Sequence, residues 1–207
     1  MWEFVEKAVY INLDRRTDRN ERTKEVLSVL GDKVIRMSAI EENPGFIGCM
    51  KSHIAVLEMA KENKWKNVLI CEDDVEWFQF NEGYKKLEEL SKKNYDSIHL
   101  GPFPSRIFPG NHRLGDAQLN TAYLVNSHYY DTLLDCFRNA LPQLIETHDE
   151  FRYGADQCWK PLIRRDTWYA PFPPLVYQRP GFSDIRNTFQ DHHEKTVNQC
   201  NNQCGSL

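Results

Sequence analysis

The sequence predicts an α/β fold in which helices cover both faces of a sheet, and three observations predict it. Short apolar runs alternate with helical patterns through the first half of the chain, the arrangement that builds a sheet with crossover helices. The run Val68-Leu69-Ile70-Cys71 is apolar throughout, as in a strand buried on both faces. It stops at three consecutive carboxylates, Glu72-Asp73-Asp74, and ligands of open α/β sheets gather at the carboxyl ends of strands.

The elements follow in order. Residues 8–13 form a first strand that runs into the polar cluster 14–19. A helix follows from Thr17 or Asp18 to Leu30, with Val26, Leu27 and Leu30 on its apolar face and Gly31 as its stop. Residues 33–37 give a second strand, and Asn43-Pro44-Gly45 a turn. From Phe46 to Asn63 the residues Cys49, Met50, His53, Ile54, Leu57 and Ala60 recur at helical spacing. The strand 67–71 then ends in the carboxylates, followed by a charged amphipathic helix over 81–93 and a strand over 96–100. Residues 101–110 read as loop, 121–125 as strand, and 127–139 as helix with Ser127 as its cap. A short helix spans 156–164 and 167–170 are extended. Pro171, Pro173 and Pro174 force a loop, and from Val176 onward the pattern is polar and irregular. The expected organisation is one domain over residues 1–187 and a polar tail over 188–207.

At 207 residues the chain is long enough to bury a sizeable core, and 41% hydrophobic with 27% charged residues is ordinary for a globular domain. A net charge of −4 argues against a nucleic-acid partner, which selects for a basic face. No apolar run approaches the roughly 20 residues that span a bilayer, so no transmembrane segment is expected. Residues 1–7 lack the basic and apolar regions of a signal peptide, which makes a complete chain cytoplasmic. Cys49, Cys71, Cys136 and Cys158 sit among apolar neighbours and read as buried free thiols. Cys200 and Cys204 follow His192 and His193 in a polar tail. Zinc spacing there is incomplete, and a disordered end is the simpler reading.

Three constellations carry chemistry. The acidic triplet is placed to hold a hard divalent cation, which prefers oxygen ligands. The segment Asn12-Leu13-Asp14-Arg15-Arg16, at the end of the first strand and before a helix, suits an anion, because arginine forks and helix amides match phosphate oxygens. A solvated charged turn is the alternative. In Gly48-Cys49-Met50-Lys51-Ser52-His53, Ser52 and His53 point roughly 100° apart on a helix, so they form no Ser-His pair, and His53 reads as a core histidine. No nucleophile elbow and no Walker lysine loop occurs. Residues 174–185 are a polar loop able to close over a ligand.

Tyr10-Ile11-Asn12-Leu13-Asp14-Arg15-Arg16-Thr17-Asp18-Arg19 resembles the opening signature of glycosyltransferase family 25, which includes lipooligosaccharide and procollagen galactosyltransferases. Residues 48–53 are similar to its Gly-Cys-x-x-Ser-His helix and residues 68–75 to its acidic strand. Residues 121–125 are similar to its Ala-Tyr strand, and Gln178 with Ser183-Asp184-Ile185 to its C-terminal block. The blocks stand in family order over residues 8–187.

The resemblance implies a GT-A fold, a Rossmann-like mixed sheet. It implies a UDP-hexose donor, a Mn²⁺ (or Mg²⁺) ion and inversion at the anomeric carbon. It makes the partners a nucleotide-sugar donor and a glycan or hydroxylysine-type protein acceptor, with galactose or glucose transferred. Asp74 is then the direct metal ligand, with Glu72 or Asp73 binding through water or holding the ribose. Asn12, Arg15 and Arg16 contact the nucleotide, and Gln178 and Ser183 close the donor side. Asp156 is the general base, with Asp149 and Glu150 as rivals. The triplet departs from the Asp-x-Asp pattern, meeting it only as Glu72-x-Asp74, and the extra domain of the collagen-modifying members is expected to be missing. A catalytically inactive glycan- or protein-binding module and a nucleotide-sugar hydrolase are the other readings. Tyr129, Tyr130, Trp159 and Trp168 are candidates to stack on sugars or, more commonly, to pack the core.

Overall fold

The computed structural model describes residues 1–108, 110–194 and 196. In chain order the elements are β1 (Lys7–Asn12), α1 (Thr17–Leu27), a 3₁₀ segment (Ser28–Lys33), β2 (Val34–Ser38), α2 (Gly45–Glu62), β3 (Asn67–Glu72), β4 (Val75–Trp77), α3 (Phe80–Ser91), β5 (Ser97–His99), β6 (Ser105–Ile107) and β7 (Leu114–Ala117). They continue with β8 (Ala122–Asn126), α4 (Tyr130–Thr147), α5 (Glu150–Tyr153), α6 (Ala155–Cys158), α7 (Lys160–Arg165), β9 (Trp168–Tyr169), β10 (Val176–Gln178), β11 (Gly181–Ser183) and β12 (Thr188–Gln190). Six strands form one mixed sheet in the order β2-β1-β3-β8-β5-β9. β2, β1 and β3 are parallel, β8 runs antiparallel to both β3 and β5, and β9 is parallel to β5.

The side-chain alternation of the strands builds two cores, one on each face. Val9, Ile11, Val68, Ile70, Tyr123 and Val125 pack with α2 and α4. Ala8, Tyr10, Leu69, Cys71, Ala122 and Leu124 pack with Val26 and Leu27 of α1 and Leu87 and Leu90 of α3. This is why β3 is apolar from Val68 to Cys71: both of its faces are covered. Tyr129, Tyr130, Trp159 and Trp168 are all buried in the core, so core packing accounts for these four aromatics.

The structure departs from the sequence expectations in several places. α1 stops at Leu27, and the 3₁₀ turn carries Leu30 into the core before Gly31, at φ 60°, reverses the chain. α4 runs on to Thr147 through Pro142, because Ala140 and Leu144 continue its buried face; His148 ends it in the left-handed conformation at φ 54°. Residues 101–110 are not all loop, since β6 pairs with β7. The stretch after Val176 is not irregular: β10 pairs with β4, and β11 with β12. β12 lies beyond residue 187, within the stretch read as tail. Cys200 and Cys204 lie outside the described residues. Among the described residues, no helix is long and apolar enough to cross a membrane.

Candidate active site

β1 and β3 are parallel neighbours, with Ile11 beside Glu72 in register, so the loops at their carboxyl ends meet. Asp73 and Asp74, each only 7% exposed, lie at that junction. Burial of two adjacent carboxylates requires a counter-charge, and Arg19, one turn into α1, supplies it. Its Nη1 lies 2.6 Å from Asp73 Oδ1 and 3.2 Å from Asp74 Oδ2. Asp73 Oδ2 accepts from Asn12 Nδ2 at 2.7 Å, and its backbone carbonyl accepts from Thr23 Oγ1 at 2.7 Å. Both oxygens of Asp73 are thus committed within the protein.

The C-terminal chain closes the junction. β10 pairs with β4 so that Gln178 stands opposite Val75. Gln178 Nε2 donates to Asp74 Oδ2 at 3.1 Å, and the Arg179 amide donates to the Asp74 carbonyl at 2.7 Å. The next turn brings Asp184 to the arginine loop, where it accepts from Arg15 Nη1 at 2.7 Å and pairs with Arg16. Burial opposes ionisation of Asp184, but its bonds to the two guanidiniums outweigh it and hold the carboxyl below its usual range.

Two pockets meet here. The first, of about 310 Å³, is lined by Arg15, Arg19, Ser52, Asp73, Asp74 and Asp184 among others. The second, of about 290 Å³, is lined by Phe103, Asn120, Glu150, Phe151, Asp156 and Arg186 among others. Cys49, Glu72, Gln178, Ser183 and Ile185 belong to both and form the wall between them.

Three acceptor atoms at and beside this wall lack a donor. Asp74 Oδ1, Gln178 Oε1 and Asn120 Oδ1 are buried without a hydrogen-bond partner. Glu72 is pushed up to about 7, first by burial and then by the negative charges of Asp73 and Asp156. Asp74 is also raised to about 7, by burial and by Glu72, against the pull of Arg19. A bare carboxylate oxygen of Asp74 and the bare amide oxygen of Gln178, whose Nε2 bonds the same carboxylate, form a donor set suited to a hard divalent cation. Asp74 Oδ1, Gln178 Oε1 and Glu72 fit such an ion, which would also relieve the cost of leaving these atoms bare. Asp73, with both oxygens engaged, instead anchors Arg19.

The sequence-expected residues divide accordingly. Arg15, Glu72, Asp73, Asp74, Gln178 and Ser183 line the first pocket, and Glu150 and Asp156 the second. Asn12, 1% exposed, sits behind the carboxylates, where it also accepts from Arg36 Nε at 3.1 Å. Arg16 is held by Asp18 and Asp184 at the rim. Asp149 caps α5 by accepting from the Arg152 amide. Glu150 pairs with Arg186. Asp156 Oδ2 accepts from the Leu119 amide at 3.1 Å.

Arg19, Arg179 and Asp184 are components that residue-by-residue reading left without a role. His53 is 1% exposed, its Nδ1 is 2.7 Å from Tyr123 Oη, and burial lowers it to about 4, so it is neutral. It is a core histidine as expected, but its Nε2 faces Glu72 Oε1 at 3.8 Å.

No protein-family model matches the chain. No curated protein matches its sequence. Solved structures resemble its architecture at low identity. A glycosyltransferase involved in glycosylation of the major capsid of PBCV-1 aligns at 12% identity over 93% of this chain and 98% of the other, with a TM-score of 0.48. The apo form of glycosyltransferase GlyE from Streptococcus pneumoniae aligns at 11% identity over 80% of this chain and 44% of the other, with a TM-score of 0.48. A mutant Drosophila β1,4-galactosyltransferase 7, solved with manganese, UDP-Gal and xylobiose, aligns at 9% identity over 92% of this chain and 73% of the other, with a TM-score of 0.46.

Proposed function

We propose that residues 1–187 form one metal-dependent glycosyltransferase domain of the GT-A type. It would move a galactose or glucose from a UDP-sugar to a hydroxyl of a glycan or of a hydroxylysine-type protein, with inversion. The observation that carries this reading is the set of bare acceptors at the pocket junction. Asp74 Oδ1 and Gln178 Oε1, beside Glu72, lie between an arginine-bearing pocket and a second pocket that holds a carboxylate. The ordered blocks that resemble those of glycosyltransferase family 25 support this reading.

In this reading the first pocket takes the nucleotide diphosphate. Arg15 faces the phosphates, with Asp184 setting its direction. Asp74 and Gln178 hold a Mn²⁺ or Mg²⁺ ion, with Glu72 bound directly or through water; when bound, the ion neutralises charge on the leaving diphosphate. The second pocket takes the acceptor. Inversion needs a base on the face opposite the leaving group, and Asp156 suits that role. It lies across the junction from the donor wall and is oriented by the Leu119 amide. Glu150 is engaged by Arg186 and Asp149 by its own helix cap, which ranks them below Asp156.

The test is turnover of a panel of UDP-hexoses with Mn²⁺ and glycan or hydroxylysine acceptors, with the glycosylated product identified. Asp74→Asn is expected to lower turnover at least about 100-fold while its circular dichroism stays native. Wild-type turnover by that variant would refute the metal role. Donor loss without product would mark a hydrolase, and UDP-sugar binding without either would mark a binding module.

A further inference from the structure

Cys49 and His53 are four residues apart on α2 and project from one face of it. That face meets the end of β3 at Glu72. Cys49 Sγ lies 3.9 Å and His53 Nε2 3.8 Å from Glu72 Oε1, and all three donor atoms fall within 4.8 Å of one another. Around a tetrahedral zinc ion with N, O and S ligands the donor atoms are about 3.3–3.7 Å apart. Rotamer adjustments of a few tenths of an ångström on two edges, and somewhat more on the third, close the triangle.

An independent observation points the same way. His53 Nε2 is buried and has no hydrogen-bond partner, although its ring is 1% exposed. A buried ring nitrogen left bare is costly, so a core histidine kept only for packing would be expected to find a partner. The other nitrogen has one: Nδ1 lies 2.7 Å from Tyr123 Oη, with the rings stacked at 5.7 Å. In the tautomer whose Nδ1–H donates to that oxygen, the Nε2 lone pair faces Cys49 and Glu72. Metal-binding histidines use the same device, with the second nitrogen tied so that the first is aimed.

We propose that Cys49, His53 and Glu72 form a zinc site, which shares only Glu72 with the hard-cation site at Asp74. A thiolate and an imidazole select zinc over manganese or magnesium. Binding displaces the Cys49 thiol proton to solvent. Cys49 and Glu72 both line the two pockets, so the fourth position opens on the cleft and takes a water molecule. This inference stands independently of the sugar-transfer reading.

The test uses the full chain, stripped of metal and titrated with Co²⁺ and then Zn²⁺. The expected result is one equivalent of Co²⁺ with a thiolate charge-transfer band and intense tetrahedral visible bands, both bleached by one equivalent of Zn²⁺. Cys49→Ser removes the charge-transfer band, and Tyr123→Phe weakens zinc binding about ten-fold. Asp74→Asn and the double change Cys200→Ser/Cys204→Ser keep the spectrum. A wild-type spectrum of hydrated octahedral Co²⁺ overturns the proposal. So does a charge-transfer band that survives Cys49→Ser or disappears with the tail cysteines. If Cys49→Ser does not fold, alkylation of the native apo chain with the modified cysteine mapped takes its place: a charge-transfer band that survives modification of Cys49 overturns the proposal.

Discussion

Glu72 and Asp74 set the chemistry of the cleft at the level of single residues. Their ordinary values are 4.5 and 3.8, and the folded chain raises both to about 7. Between those limits the folded protein keeps protons that the unfolded chain releases. Their contribution to stability is therefore complete at low pH and is lost as pH rises toward 7. In EDTA, the wild-type melting temperature is predicted to fall across that window relative to Glu72→Gln/Asp74→Asn, which lacks the titration. Parallel pH profiles for the two proteins would contradict it. The acidic triplet was legible in the sequence because carboxylates directly after an apolar strand have few physical explanations. Arg19 was not, because within a run of charged residues nothing distinguishes the one arginine that reaches 2.6 Å from Asp73. The bare nitrogen of His53 was equally invisible, since a partner's absence is a property of the packed structure.

At the scale of elements, α2 forms one side of the cleft because it can approach the chain after β2 closely. A Cβ on Gly48 would lie 2.2 Å from the Ile40 carbonyl oxygen and 3.1 Å from the Glu42 amide nitrogen. Both are backbone atoms, so the loop itself must move. Gly48→Ala is predicted to cost about 2 kcal/mol, a melting shift of roughly 4–8 °C for a chain of this size. Thermal denaturation checks this, and an unchanged melting temperature would show that the loop yields freely. The long periodic elements were legible: β1, α2 and β3 fall within a few residues of their expected limits. The short strands β4, β6, β7, β10, β11 and β12 were not. Each holds its conformation by pairing, and β10 pairs with β4 far earlier in the chain, which no local pattern announces. The helix expected over 127–139 runs on to Thr147, because the buried face of α4 outweighs the one hydrogen bond missing at Pro142.

For the whole molecule, sheet order places the two pockets side by side. β1 and β3 contribute the first pocket, the proposed donor side, while the chain around β8 and the short helices α5 and α6 carry Asn120, Glu150 and Asp156 to the other. This division predicts a clean separation of roles. Asp156→Asn should lower kcat by about 100- to 10,000-fold and leave UDP affinity unchanged, as read by steady-state kinetics and calorimetry together. A loss of UDP affinity instead would move Asp156 to the donor side. The α/β sheet with its covering helices was legible from alternation, and its mixed strand direction only from the resemblance to a glycosyltransferase family. The contribution of the C-terminal chain to both pockets was not, because Gln178, Ser183 and Ile185 act only once β10 has crossed to β4.

If the bare acceptors at the junction hold a cation that completes a nucleotide site, UDP binding must depend on that cation. Calorimetric titration of UDP into the chain with Mn²⁺ and again with EDTA reads this dependence. One-to-one binding with Mn²⁺ is expected, disappearing with EDTA and in Asp74→Asn. Binding of equal strength in EDTA, or none with Mn²⁺, would contradict it.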